Sequence, residues 1–218
     1  MRPLRRLLAC FLLLALVLVL SATALADRGD PKRKITKVDQ ARAQAMLLRK
    51  ADFPLDFRAT PPPADVDDFY CKALDESDLT LHGEAESSEF ERGLQFVSSL
   101  AQVYATVANA STAWGRGVSK VGQECARAAF RDQASTSGST FESFGRTTFP
   151  KLAQRSVAYR LVFATQGVRV VVDIVVMQQS RAQAAIIFGS ALAPMPMGER
   201  LQLARTVATR MARAMRGS

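Results

Sequence analysis

The 218-residue chain carries one histidine, His82, so any Ser-His-Asp or Cys-His relay would have to run through it. His82 sits in LTLHGEAESSEFE, residues 79–91. There Leu79, Leu81 and Gly83 alternate with Thr80 and His82, which predicts a strand with His82 on its more exposed side. Asp78 and Glu86 would share that face, each two positions beyond the nearest same-face neighbour and too far to orient the ring. The chain has no G-x-S-x-G elbow, no Walker loop and no Rossmann glycine pattern. Its Cys and His residues are too few for a zinc site. Carboxylates fall in groups: Asp65, Asp67 and Asp68; Asp75, Glu76 and Asp78; then Glu84, Glu86, Glu89 and Glu91. Paired carboxylates can do acid/base work on glycans, and oxygen ligands can hold calcium. The spacing matches no EF-hand loop, and a solvated acidic surface is the ordinary alternative. The expectation is a non-enzyme with no cofactor and no metal.

Three residues could line a binding site for an apolar ligand. Met195 and Met197 stand in the proline-bounded stretch APMPMGER, and Trp114 is the one tryptophan. Each has a structural alternative, the methionines as a lid on the core and Trp114 as core packing. Two cysteines, Cys71 and Cys125, lie downstream of residue 26, and in an exported chain they predict one disulfide. Closing that loop would stabilise the fold by roughly 4 kcal/mol.

The beginning of the chain predicts export. Arg2, Arg5 and Arg6 precede an uncharged apolar run from Leu7 to Leu20, and SATALA places Ala24 and Ala26 as an A-x-A cleavage site. Residues 1–26 are read as a signal peptide cleaved after Ala26. The alternative is an uncleaved membrane anchor, because 20 apolar residues can span a bilayer. LLAC, residues 7–10, resembles a lipobox, but Cys10 precedes most of the apolar run instead of following it. Under either main reading residue 27 onward faces outside. No later stretch is long and apolar enough to span. Loss of the three leader arginines lowers the formal charge from +9 to +6. The basic residues are scattered, and the aromatic residues lie among apolar positions, which argues against nucleic-acid binding.

From residue 27 the pattern divides into a polar, flexible lead-in at 27–37 and a single domain at 38–218. DQARAQAMLLRK, residues 39–50, has helical composition, and RATPPPADVDD reads as a loop. Strands are expected at 79–91 and 94–105. Val107, Ala110, Trp114, Val118, Val121, Cys125 and Ala129 step by threes and fours, one helix face that buries Trp114 and Cys125. Gly115, Gly117 and Gly122 weaken that helix and predict a break. Residues 157–164 and 168–177 alternate around Gln166-Gly167, a two-residue hairpin loop. That register sets Arg160 opposite Asp173. AQAAIIFG is a third strand, and residues 198–215 form an amphipathic helix with Leu201, Ala204, Val207, Ala208, Met211 and Met215 inward. The fold class is α+β: an antiparallel sheet of about five to six strands packed with helices, in the order helix, two strands, helix, three to four strands, helix.

This order, with ADFP at 51–54, FYC at 69–71, Ala110 and Trp114 in A-x-x-x-W, Cys125 downstream and RVVVDIVV before an Ala-rich terminal helix, resembles the extracytoplasmic PknH-type sensor domains and LpqN-type envelope proteins of actinobacteria, from about Val38 to the C-terminus. The resemblance implies a PsbP-like fold and a non-catalytic domain outside the membrane that binds a ligand or partner. Members often carry two disulfides, and this chain can make one. No kinase domain is present, so a signalling role does not transfer. The expected function is an exported, sensor-like binding domain for an apolar or amphiphilic ligand. The alternatives are an envelope interaction protein without a small ligand and, behind it, a carboxylate hydrolase.

Overall fold

The structure, a computed structural model, describes residues 29–62 and 71–217. The leader with Cys10, and Asp65, Asp67, Asp68, Phe69 and Tyr70, lie outside the described residues.

The fold is α+β, with nine strands in one sheet: β1 Lys32–Arg33, β2 Arg58–Thr60, β3 Thr80–Glu86, β4 Glu89–Arg92, β5 Gln95–Tyr104, β6 Thr140–Thr147, β7 Arg155–Thr165, β8 Val168–Gln179 and β9 Ala182–Ala191. Among the described residues four α-helices pack on it: α1 Lys37–Met46, α2 Val107–Val118, α3 Lys120–Thr136 and α4 Met197–Ala214. The main path runs β1-β3-β5-β9-β8-β7-β6, with β4 paired to both β5 and β2. All ladders are antiparallel except the two-residue pairing of β1 with β3. The sheet thus exceeds the expected five to six strands, the additions being β1, β2, the split of one expected strand into β3 and β4, and β6. None of the described helices is long and apolar enough to cross a membrane.

The β7–β8 hairpin has the expected register, with Arg160 opposite Asp173. Its loop residues take positive φ, 48° at Gln166 and 78° at Gly167, the handedness that matches strand twist. Within the expected lead-in, residues 32–36 run along the sheet. Lys32, Lys34 and Thr36 donate backbone hydrogen bonds to the carbonyls of Leu79, Leu81 and His82.

Alternation divides the side chains between two faces. On one, Val97, Ala101, Val175, Met177, Ile186 and Phe188 are buried under α1 and α4. On the other, Phe96, Leu161, Val172 and Ile187 form a second cluster, and α3 adds Ala126 and Phe130. α2 covers the Tyr104 end of that second face with Ala110 and Ala113. Gly83 lets α1 sit close to β3, because a Cβ there would collide with the Asp39 carbonyl.

The helix expected across 107–129 breaks at Ser119, whose ψ is 156°. The Ser119 hydroxyl accepts from the Gly122 N–H and donates to the Arg116 carbonyl, ending α2 and capping α3 at once. The break shifts the helical phase, so the single seam fails: Val107 and Val121 are exposed, and Trp114 and Cys125 are half-buried. In α4 the expected inner face holds except at Leu201, which is half-buried, while Leu203 and Arg200 turn inward.

Candidate functional site

The feature of this sheet that calls for a chemical account is a row of carboxylates. Register places it. Glu84 is opposite Gln102, Glu86 opposite Leu100 and Glu91 opposite Phe96, all on the face that carries α2 and α3. β3 and β4 follow one another along the same partner strand, β5. Ser87 and Ser88 form the join: the Ser87 N–H donates to the Ser99 carbonyl, the Ser87 hydroxyl accepts from the Ser99 N–H, and it donates to the Ser88 carbonyl. The ladder that pairs Phe90 with Val97 then brings Glu89 alongside Ser98.

These groups are not a solvated surface. Glu89 is 4% exposed and Ser98 2%. Burial lifts the Glu89 carboxyl well above the ordinary range, and a hydrogen bond shared with the Glu91 carboxyl, with the charges of Glu91 and Glu86, lifts it further. Burial, with Glu84 nearby, pushes Glu86 up to about 7. Glu84 is also raised by burial, against the pull of a Gln102 hydrogen bond and of Arg33, which lies 2.9 Å away. Among the described residues Glu89 Oε2 and Ser98 Oγ have no hydrogen-bond partner. Among the described residues no Lys, Arg or His forms an ion pair with Glu86, Glu89 or Glu91. The described residues contain no grouping of three or more His, Cys, Asp or Glu able to hold a metal ion.

The same face continues to Glu76. Tyr104 donates its hydroxyl proton to Glu76 Oε2 at 2.8 Å, and burial raises both groups.

His82 does find a carboxylate, but not on its own strand. Its Nδ1 is 3.4 Å from Asp39 Oδ2, at the start of α1. Asp39 is already held by both outer nitrogens of Arg181, at 2.9 and 2.7 Å, and by Arg42 at 2.8 Å. Hydrogen bonds from Arg181 first, and then Arg42, hold its carboxyl down at about 2 despite burial. Among the described residues, no hydroxyl or thiol is hydrogen-bonded to the His82 ring, so the geometry there is an ion network that ties α1 to the β8–β9 turn. Asp39 could not be picked out from residue spacing, because the contact depends on α1 packing over Gly83.

Trp114, Met195 and Met197 are not brought together. Trp114 is on α2, over one face of the sheet. Met195 is 2% exposed in the core of the opposite face, beside α4. Met197 opens α4 and is 43% exposed. The sheet itself separates the tryptophan from the methionines. Cys71 and Cys125 stand at disulfide distance, with Cα atoms 6.3 Å apart, and join the short turn at Lys72–Leu74 to α3.

No family model matches the chain, and no curated protein does. Among solved structures it is similar to the extracellular domain of PknH from Mycobacterium tuberculosis, with a TM-score of 0.41 and 8% identity. That similarity covers 81% of this chain and 96% of the other.

Proposed function

We propose that this chain is an exported, non-catalytic binding domain whose binding face is the carboxylate row of β3 and β4. The observation that carries the reading is three carboxylates of the row, Glu86, Glu89 and Glu91, on a chain with 29 basic and 20 acidic residues, with no cation of the described residues paired to them. Perturbed, clustered titratable groups are where binding and catalysis concentrate. A glycosidase-like role has less support, since two ionisable carboxyls must flank an open cleft, and Glu89 is almost fully covered. The leader and the cysteine pair at disulfide distance support export to an oxidising compartment.

The test is a native mass spectrum of the protein recovered from the exported fraction of cells that make it. The expected mass is that of residues 27–218 less two hydrogens, with a bound molecule. A chain found only in the cytoplasm with free thiols would sink the reading.

A second reading, an envelope interaction protein without a small ligand, is favoured by a different observation. Leu55 and Leu192 are exposed in loops near the Gln95 end of β5, and Met197 is exposed at the start of α4. Leu192 has φ 74° in a γ-turn closed by the Ala193 N–H on the Ala191 carbonyl, a strained conformation for a leucine.

A further inference from the structure

The unpartnered groups in the carboxylate row define what would complete it. Buried polar atoms in folded proteins nearly always have a hydrogen-bond partner. Here two atoms orphaned among the described residues, Glu89 Oε2 and Ser98 Oγ, belong to residues set alongside each other by the β4–β5 ladder, and both can accept. The flanking carboxylates Glu86 and Glu91 are half-buried and extend from them toward solvent. A donor group with positive charge would satisfy both atoms and offset the charge of the surrounding carboxylates. It must be narrow enough to reach beneath Glu86 and Glu91. A primary ammonium has three N–H donors on a slender stem, whereas a guanidinium is a broad planar fork.

We propose that Glu86, Glu89, Glu91 and Ser98 form a receptor for a primary ammonium group, carried either by a free polyamine or by a lysine side chain of a partner. The proposal rests on the reading of this row as the binding face and names the chemistry it takes. The charged groups around Glu89 are few. β3 contributes Glu86 and, beyond it, Glu84 with Arg33. β4 contributes Glu91. β2 sets exposed Arg58 opposite Glu91 with no ion pair between them. β5 presents only neutral side chains, Phe96, Ser98, Leu100 and Gln102. An arriving ammonium would favour the ionised carboxylate, so binding expels a proton and tightens as pH rises.

The experiment is calorimetric titration of the secreted chain, at low salt, with spermidine and separately with tetralysine, at pH 6 and pH 8. Binding of either probe that is tighter at pH 8 and releases a proton, read from buffers of different ionisation enthalpy, supports the proposal. Spermidine alone points to a free amine, and tetralysine alone to a partner's lysine. Glu89→Gln should weaken binding roughly tenfold or more, the range for a charged hydrogen bond. Ser98→Ala should weaken it less. Glu142→Gln, at an exposed carboxylate paired with Arg169 on the far side of the sheet, should leave it unchanged. The proposal is overturned if neither probe binds, or if Glu142→Gln and Glu89→Gln lose equally, which would mark general charge attraction. An exported, oxidised chain carrying a non-basic adduct would keep the binding function and remove the ammonium.

Discussion

Asp173 lies on the α4 side of β8 and faces two guanidinium groups. Arg160 holds it with two bonds, at 2.7 and 3.0 Å, and Arg200 with one at 2.6 Å. Asp173 and Arg200 are buried, and Arg200 Nε has no partner among the described residues. Removing the carboxylate would leave like charges facing each other under α4, so Asp173→Asn should cost about 3–5 kcal/mol in a denaturant titration. Glu89 behaves in the opposite sense. Its carboxyl is raised in the folded state, so its contribution is fully present below the ordinary carboxyl pKa and is lost as pH rises through the folded value. Glu89→Gln does not ionise. It should melt with the wild type at pH 4 and above it at pH 8, and a variant that melts lower at pH 8 would contradict the placement of Glu89.

At the scale of elements, α1 depends on Gly83. Gly83→Ala would push the Asp39 backbone off β3, with a cost of about 1–3 kcal/mol by chemical denaturation. The same substitution should loosen the Asp39–Arg181 pair, visible as a changed His82 ring environment by NMR. How far each element could be read beforehand follows from its physics. The β7–β8 hairpin was legible to the residue because long alternation and a Gln-Gly turn fix the register together. β6 was not. Only Phe144 of its eight residues is buried, as befits an edge strand covered by α3 on one side, so TFESFGRT carries little alternation. The α2–α3 break was expected from glycines, but Ser119 makes it, through a cap that helical periodicity does not register. The glutamates of the row were visible as residue types. Their gathering on one face was not, because it requires the one-residue register shift at the Ser87–Ser88 join.

For the whole molecule, the charge networks set stability limits at both ends of the pH scale. Asp39, held at about 2, contributes stability that is present above the ordinary aspartate value and lost as pH falls through about 2. Glu86, at about 7, and Glu89 lose theirs as pH rises. Thermal stability should therefore peak in mildly acidic solution, between these limits, and a maximum at alkaline pH would contradict the carboxylate row. The cysteine pair bears on the same quantity from the unfolded side. Replacing Cys71 and Cys125 together by serine should cost about 2–5 kcal/mol, with the larger effect on a chain first shown to be oxidised.

The place of β5 inside the sheet has a consequence for how the chain acquires its shape. Its neighbour on one side is β3, nearby in sequence, but on the other it pairs Gln95 with Ser190 and Val103 with Ala182. A chain emerging from its N-terminus has β5 long before β9. Until then the strand offers an unsatisfied hydrogen-bonding edge and bare Phe96 and Val97. Such non-local closure is slow. The second half of the chain is thus a requirement for solubility of the first, and a fragment ending after α3 is expected to aggregate when made alone.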